Sequence, residues 1–149
     1  MKLSTTENNG IVEIQSPVYP EMTNTLNAYL GLINVWDDES INSTKQVRML
    51  GLGDHGNVIR EIRINAKWDT IFTNVEKCLE SLRDISAIKQ VLIVQNEPNK
   101  DIYPGPREKT LARKIWSQAK YLGVPLMDQL VVSENSYYSY KENEVVGDE

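Results

Sequence analysis

A short polar stretch in the second half of the chain holds the side chains best suited to chemistry. The apolar run Val91-Leu92-Ile93-Val94 leads into Gln95-Asn96-Glu97-Pro98, and Asp101, Tyr103, Arg107 and Glu108 follow before a helical pattern begins. Gln95 and Glu97 stand at the end of that apolar run, and Glu108 at the start of the helical pattern that follows. Oxygen donors of this kind suit a hard cation such as Mg²⁺, Mn²⁺ or Ca²⁺. Catalytic zinc instead draws three protein ligands, mostly imidazoles, and leaves a fourth position for water. The chain has one histidine, His55, far upstream in the turn Gly53-Asp54-His55-Gly56-Asn57 and without a neighbour to make it a general base. Its one cysteine, Cys78, falls on the apolar face of a predicted helix, where cysteine behaves as a small hydrophobe. A lone cysteine forms no internal disulfide, which fits a reducing compartment.

Hydrophobic periodicity supplies the elements that must position these groups. Residues 91–94 lack alternation, as a strand covered by helices on both faces does, and so mark the sheet centre. Residues 45–52 and 58–64 read as a hairpin around the 53–57 turn. In its second strand Val58, Ile62 and Ile64 share the packed face, and Glu61 and Arg63 are expected to meet water. Upstream, residues 11–14 form a short strand ended by the 17–20 segment, and Thr23 or Asn24 can cap a helix with Leu26, Tyr29, Leu30 and Ile33 at helical spacing. The arrangement Thr73-Asn74-Val75-Glu76 has the form of a capping box and predicts a helix from there, with Val75, Cys78, Leu79 and Leu82 inward. Another helix, residues 107–122, turns Leu111, Ile115, Ala119 and Leu122 inward and ends at Gly123. Strands over 124–132 and 137–141 close the unit, and the order predicts a mixed α/β sheet between helices.

With 149 residues, 40% of them apolar, the chain can bury one core and is too short for two ordinary domains. Residues 1–10 are polar and are expected to be a disordered leader, with the domain over 11–146 and an acidic tail over 147–149. No run approaches the ~18 apolar residues of a membrane span, so a cytoplasmic protein with no membrane partner is expected. Net charge is −5, with acids gathered at 37–39 and 142–149, which argues against nucleic acid as a general partner. Arg107, Lys109, Arg113, Lys114 and Lys120 follow Pro106, but Glu108 interrupts them and they read as a solvated helix face. Trp116 is expected to be at least partly buried and Trp36 to end the first helix. Trp68, in a loop between Lys67 and Asp69, reads either as a core or lid residue or as an exposed aromatic that anchors a partner.

Order and spacing along residues 11–146 resemble the RadC family, the bacterial branch of the JAB/MPN (JAMM) metalloprotease-like domains. The family's strand into His-x-His-Pro is similar to 91–98 here, with Gln95 and Glu97 at the histidine positions and Pro98 kept. Its Pro-Ser-x-x-Asp resembles Pro104-Gly105-Pro106-Arg107-Glu108, so Glu108 takes the place of the ligand aspartate. Leu126-Met127-Asp128-Gln129-Leu130-Val131-Val132 looks like the family's Val-Leu-Asp-His-Leu-Ile-Ile strand, and Tyr137-Tyr138-Ser139-Tyr140 like its closing Tyr-Tyr-Ser-Phe. Ala28-Tyr29 and Val35-Trp36-Asp37-Asp38-Glu39 resemble its opening helix. Glu61 falls close to the family's proton-shuttling glutamate.

The resemblance implies a three-layer αβα, cytidine-deaminase-like fold, in which Gln95 and Glu97 sit at the carboxyl end of the buried strand and face the start of the helix that bears Glu108, and, in the family, a zinc ion. Here the imidazoles are gone, and a glutamine amide is a poor partner for a borderline-soft ion. No metal or cofactor is therefore expected, and Glu61, Gln95, Glu97 and Glu108 stand as vestigial positions. Trp68, Asn96, Pro98, Asp101, Tyr103 and Arg107 are the expected contacts for a protein or peptide partner, held against a neighbouring strand edge without cleavage. Two alternatives remain open: a metal-dependent hydrolase running on carboxylates, and an accessory to DNA repair, which rests on the family label.

Overall fold

The computed structural model describes residues 2–8, 10–15 and 18–147. Pro17, in the segment expected to end the second strand, and two residues of the acidic tail, 148 and 149, lie outside the described residues. Along the chain come β1 (Lys2–Asn8), β2 (Ile11–Gln15), α1 (Thr25–Val35), α2 (Asp38–Ser43), β3 (Gln46–Leu52) and β4 (Val58–Asn65). Then follow α3 (Ile71–Arg83), β5 (Gln90–Asn96), α4 (Pro106–Leu122), β6 (Leu126–Val132) and β7 (Tyr137–Ser139). One sheet orders them β1-β2-β4-β3-β5-β6-β7. All pairs are antiparallel except β5 with β6, whose connection runs through α4 as a parallel crossover requires.

The expected mixed α/β sheet with helices on both faces is the observed architecture. On one face Val47, Met49, Ile62, Ile64, Val91 and Ile93 pack against Ile71, Val75, Cys78, Leu79 and Leu82 of α3 and Ile115 and Ala119 of α4. On the other, Leu50, Leu52, Leu92, Val94, Leu130 and Val132 meet Ala28, Tyr29 and Leu32 of α1, with Trp36 and Ile41. β5 contributes to both layers, which is why its sequence shows no alternation. A third cluster of Ile102, Ala112, Trp116, Val131, Tyr138 and Tyr140 anchors the β5–α4 loop and the closing strand.

Local signals succeed where a specific backbone bond depends on them. Asn24 caps α1, its Oδ1 accepting from the Asn27 N–H at 2.8 Å. Gly123 ends α4 at φ 75°, the left-handed region that glycine enters without penalty. Gly56 has φ 78° in the β3–β4 turn, where a Cβ would lie 2.2 Å from the Met22 carbonyl oxygen. That close approach lets Met22 N–H donate to Gly56 O at 2.8 Å and docks the lead into α1 on the hairpin.

Three expectations about the elements need correction, and one helix lies outside them. The expected leader contains β1, paired antiparallel with β2; main-chain pairing needs no apolar side chains, so a polar segment conceals it. Residues 38–43 form α2, capped by Asp37 Oδ2 accepting from Ser40 N–H at 3.1 Å. α3 starts at Ile71, two residues before Thr73, and its N-cap Thr70 makes no side-chain cap bond. Burial of Ile71, and not a capping box, sets that start. The last two strands are shorter than expected, beginning at Leu126 and ending at Ser139.

Asp128, on β6, ties three elements together while fully buried. Its Oδ2 accepts from Thr25 Oγ1 of α1 at 3.0 Å and from Ser139 Oγ of β7, and its Oδ1 accepts from the N–H groups of Gln129 and Lys141 at 2.7 and 3.2 Å. Four donors offset the desolvation of the carboxylate. Asp128→Ala should lower unfolding stability by about 3 kcal/mol, since it strands buried donors. Asp128→Asn should lose markedly less, because the two hydroxyls can turn to accept from an amide. Urea denaturation of the two variants checks the order; equal losses would show that the hydrogen bonds do not decide stability here.

Candidate functional site

Side chains alternate across the sheet, and the register decides which polar groups meet. Gln95 is opposite Val47 of β3 and lies on the α3/α4 side. Lys45 immediately precedes β3, and its Nζ is 3.1 Å from Glu97 Oε1. Gln95, Glu97, Lys45, Asp101, Tyr103 and Glu108 line a cleft of about 240 Å³ at the carboxyl end of β5. Beneath it, Gln95, Lys45 and Glu108 also border an inner cavity of about 80 Å³ walled by Val47, Ile71, Ile93 and Ile115, with Trp68 at its rim. The expected adjacency of Gln95, Glu97 and Glu108 is thus realised. No described side chain bonds to the Gln95 amide, which stays open to the cleft with donors and an acceptor.

Glu108 is already occupied with its own helix. Its Oε1 accepts from the Gly105 N–H at 2.9 Å, the backward half of a capping box. A Cβ on residue 105 would lie 2.8 Å from that oxygen, so glycine there lets the longer glutamate fold back. Gln129 on β6 donates from Nε2 to the Ala112 carbonyl at 3.0 Å and pins α4 to β6. Among the described residues no three His, Cys, Asp or Glu side chains gather closely enough to hold a metal ion.

Glu61 belongs elsewhere. It is opposite Leu50, which is opposite Leu92, and so projects to the α1 side, across the sheet from Gln95. A one-residue difference in register changes the face of a strand residue, and Glu61 therefore does not join the cleft. Nor does it meet water, being 0% exposed. Its Oε2 accepts from Tyr19 Oη and Arg63 Nε, both at 2.9 Å, and lies 3.6 Å from Arg48 Nη1; its Oε1 has no hydrogen-bond partner. Arg48, also buried, stacks its guanidinium 3.7 Å from the Trp36 ring centroid. Burial lowers the Arg48 pKa below the ordinary guanidinium value.

The expected contact residues divide. Asn96 is fully buried and faces away from the cleft: its Oδ1 accepts from Gln46 N–H at 2.7 Å, and its Nδ2 donates to Ile41 and Thr44 carbonyls at 3.0 and 2.8 Å. It holds α2 to β3 and cannot also reach a partner. Tyr103 is 75% exposed, its ring edge-on to Tyr138 at 6.0 Å, and Asp101 is exposed beside it. Pro98 is half-buried. Trp68 is 41% exposed and carries the Arg107 guanidinium 3.8 Å from its ring centroid. Lys100 pairs with Glu134 at 2.8 Å, leaving Glu97 to Lys45. His55 is exposed on its turn, and Cys78 is buried in the core. The strand edge expected beside Gln95 does not exist, because β5 is paired on both sides; the edges are β1 and β7. Lys45 escaped the sequence reading, though facing starts and ends of paired strands could have placed it.

Two titrations follow from these surroundings. Burial, with the negative charge of Glu13 adding to it, pushes the Cys78 thiol up to about 12, so Cys78 should resist a disulfide reagent at pH 8 until urea unfolds the chain; rapid labelling of native protein would contradict this. Burial and then the Glu61 carboxylate raise the Tyr19 phenol to about 12, above the value of about 10 in an unfolded chain. Because the folded value is the higher, its stabilisation is complete below about pH 10 and is lost as pH rises toward 12. Thermal melts should show a steeper alkaline decline in wild type than in Tyr19→Phe, and identical slopes would refute the coupling.

The sequence matches a RadC-like JAB domain over residues 33–145. The UPF0758 protein pc1765 of Protochlamydia amoebophila is 30% identical over 56 residues, covering 38% of this chain and 24% of that protein. A UPF0758 protein of Streptococcus thermophilus is 33% identical over 52 residues, covering 35% and 23%. One from Thermotoga maritima is 31% identical over 52 residues, with the same coverage. The chain spans about a quarter of the length of the curated relatives it matches. Since the domain match takes in both the cleft and the Asp128 hub and extends over more than half of the residues, the chain belongs to the RadC family.

Proposed function

We propose that this RadC-like domain binds a segment of a partner protein in the Gln95–Glu108 cleft and does so without a catalytic zinc. The observation that carries the reading is the company Gln95 keeps: an uncommitted amide beside a Lys45–Glu97 ion pair, where a zinc site would need three converging ligands. This donor set does not fit zinc. Glutamine contributes a neutral oxygen, Glu97 is matched by an ammonium that would repel a dication, and Glu108 caps α4. The same groups suit a peptide, because an amide offers both hydrogen-bonding roles to a main chain and the Lys45–Glu97 pair can bind polar side chains. Tyr103 in the cleft and Trp68 at the inner cavity are exposed aromatics, the residue types that dominate binding energy at interfaces. With no sheet edge beside β5, the segment is held by cleft-wall side chains instead of strand addition. Among the described residues no helix is long and apolar enough to cross a membrane.

Elemental analysis of protein purified without chelator should find zinc, manganese and magnesium well below one equivalent per chain. Zinc near one equivalent, lost in Glu97→Ala, would refute the metal-free reading. A photo-crosslinking residue at position 103 should capture a discrete partner in cells, and the adduct should weaken when Trp68→Ala and Lys45→Ala are combined. The same residue at the exposed position 121, on the far end of α4, should not capture it. Equal capture at both positions would sink the assignment of the cleft.

A further inference from the structure

Beside the cleft, on the other side of Trp68, α3 and α4 enclose a groove of about 620 Å³ lined by Trp68, Phe72, Thr73, Arg107, Thr110 and Lys114, with Asp69 at one end. Two cations stand over two rings there: the Arg107 guanidinium 3.8 Å from the Trp68 centroid, and the Lys114 ammonium 4.4 Å from that of Phe72. Both distances are within the range of an attractive cation–π contact. Among the described residues neither cation has a carboxylate within 4.0 Å, although the chain carries 21 acidic groups against 16 basic ones. Positive charge is held here on aromatic supports and left unneutralised, on a protein of the opposite sign.

We propose that this groove docks an acidic peptide segment, the part of the partner that continues past the cleft; the inference rests on the cleft reading above for the partner's being a protein. A guanidinium stacked on a ring has already lost much of its rotamer freedom and keeps its planar fork for a carboxylate, which it binds through two parallel hydrogen bonds. Lys114 lies two helical turns further along α4 and provides a second point charge, so acids spaced along an extended or helical segment can reach both. The Thr73 hydroxyl adds a polar contact between the helices. Asp69 works against an acid placed at the Trp68 end, which gives the groove a direction. Single-stranded nucleic acid is the weaker fit, because base stacking needs open ring faces and the cations occupy them.

A random peptide library displayed on phage and selected against the folded chain tests this. Wild type should enrich sequences rich in Asp and Glu, and a recovered peptide should quench tryptophan fluorescence through Trp68, since Trp36 and Trp116 are buried. Arg107→Glu with Lys114→Glu should weaken that peptide about tenfold or more, close to 1.4 kcal/mol or above, while Lys89→Glu, remote from the groove, should leave it unchanged. Arg107→Gln and Lys114→Gln separately, each with a wild-type melting temperature, guard against a folding defect. Enrichment without acidic bias, affinity indifferent to the Arg107 and Lys114 changes, or tighter binding of oligo(dT) than of the peptide would each overturn the proposal. Discrete crosslinks at position 103 combined with no acidic preference would leave the cleft reading standing and remove only this one.

Discussion

Alternation of side chains across the central strands is the constraint from which the rest of this structure follows. β5 lies between β3 and β6 with a helix layer on each face, so each of its residues is committed to one layer or the other. Val91, Ile93 and Gln95 go toward α3 and α4, whereas Leu92, Val94 and Asn96 go toward α1 and α2. Gln95 therefore opens into the cleft and its neighbour Asn96 is sealed among backbone groups on the opposite side. The same parity across β3 and β4 sends Glu61 to the α1 layer.

That layer then has to accommodate charge. Moving a carboxylate and a guanidinium out of water costs roughly several kcal/mol per ion, and their attraction restores it only with good hydrogen bonding. Glu61 and Arg48 meet this with Tyr19, Arg63, Gln46 and the face of Trp36 as further partners. Compensation is incomplete, as Glu61 Oε1 has no partner. A pair of this kind adds little net stability, but removing one member leaves the other buried and unmatched, so the network constrains how the lead into α1 can lie over β3 and β4. Asp128 does comparable work at the far side of the layer, where its two oxygens join α1, β6 and β7.

The opposite face carries the cleft and the groove. Their walls are built from helix starts and strand ends, where backbone hydrogen bonding runs out and side chains such as Glu108 turn back to satisfy it. On β6 the Gln129 amide is committed, since its Nε2 donates to the Ala112 carbonyl. On β5 no described side chain bonds to the Gln95 amide.

Much of the architecture could be read from the chain, because burial writes itself into apolar spacing: the unalternating 91–94 run, the inward positions of α3 and α4, Asn24 and Gly123 at helix ends. The family likeness, too, rested on the order and spacing of motifs along the chain. Periodicity also put Glu61 and Arg63 correctly on one face, yet it could not say that α1 covers that face, as alternation reports sides and not what lies against them. β1 and α2 escaped because main-chain pairing and an Asp cap leave little apolar trace. The sequence by itself determined which donor types stand at the end of β5 and the start of α4; only the tertiary structure decided that Lys45 meets Glu97, that Asn96 is spent internally, and that Arg107 and Lys114 rest on aromatic rings. Those are contacts between segments far apart in the chain, and they depend on register and packing that no local pattern encodes.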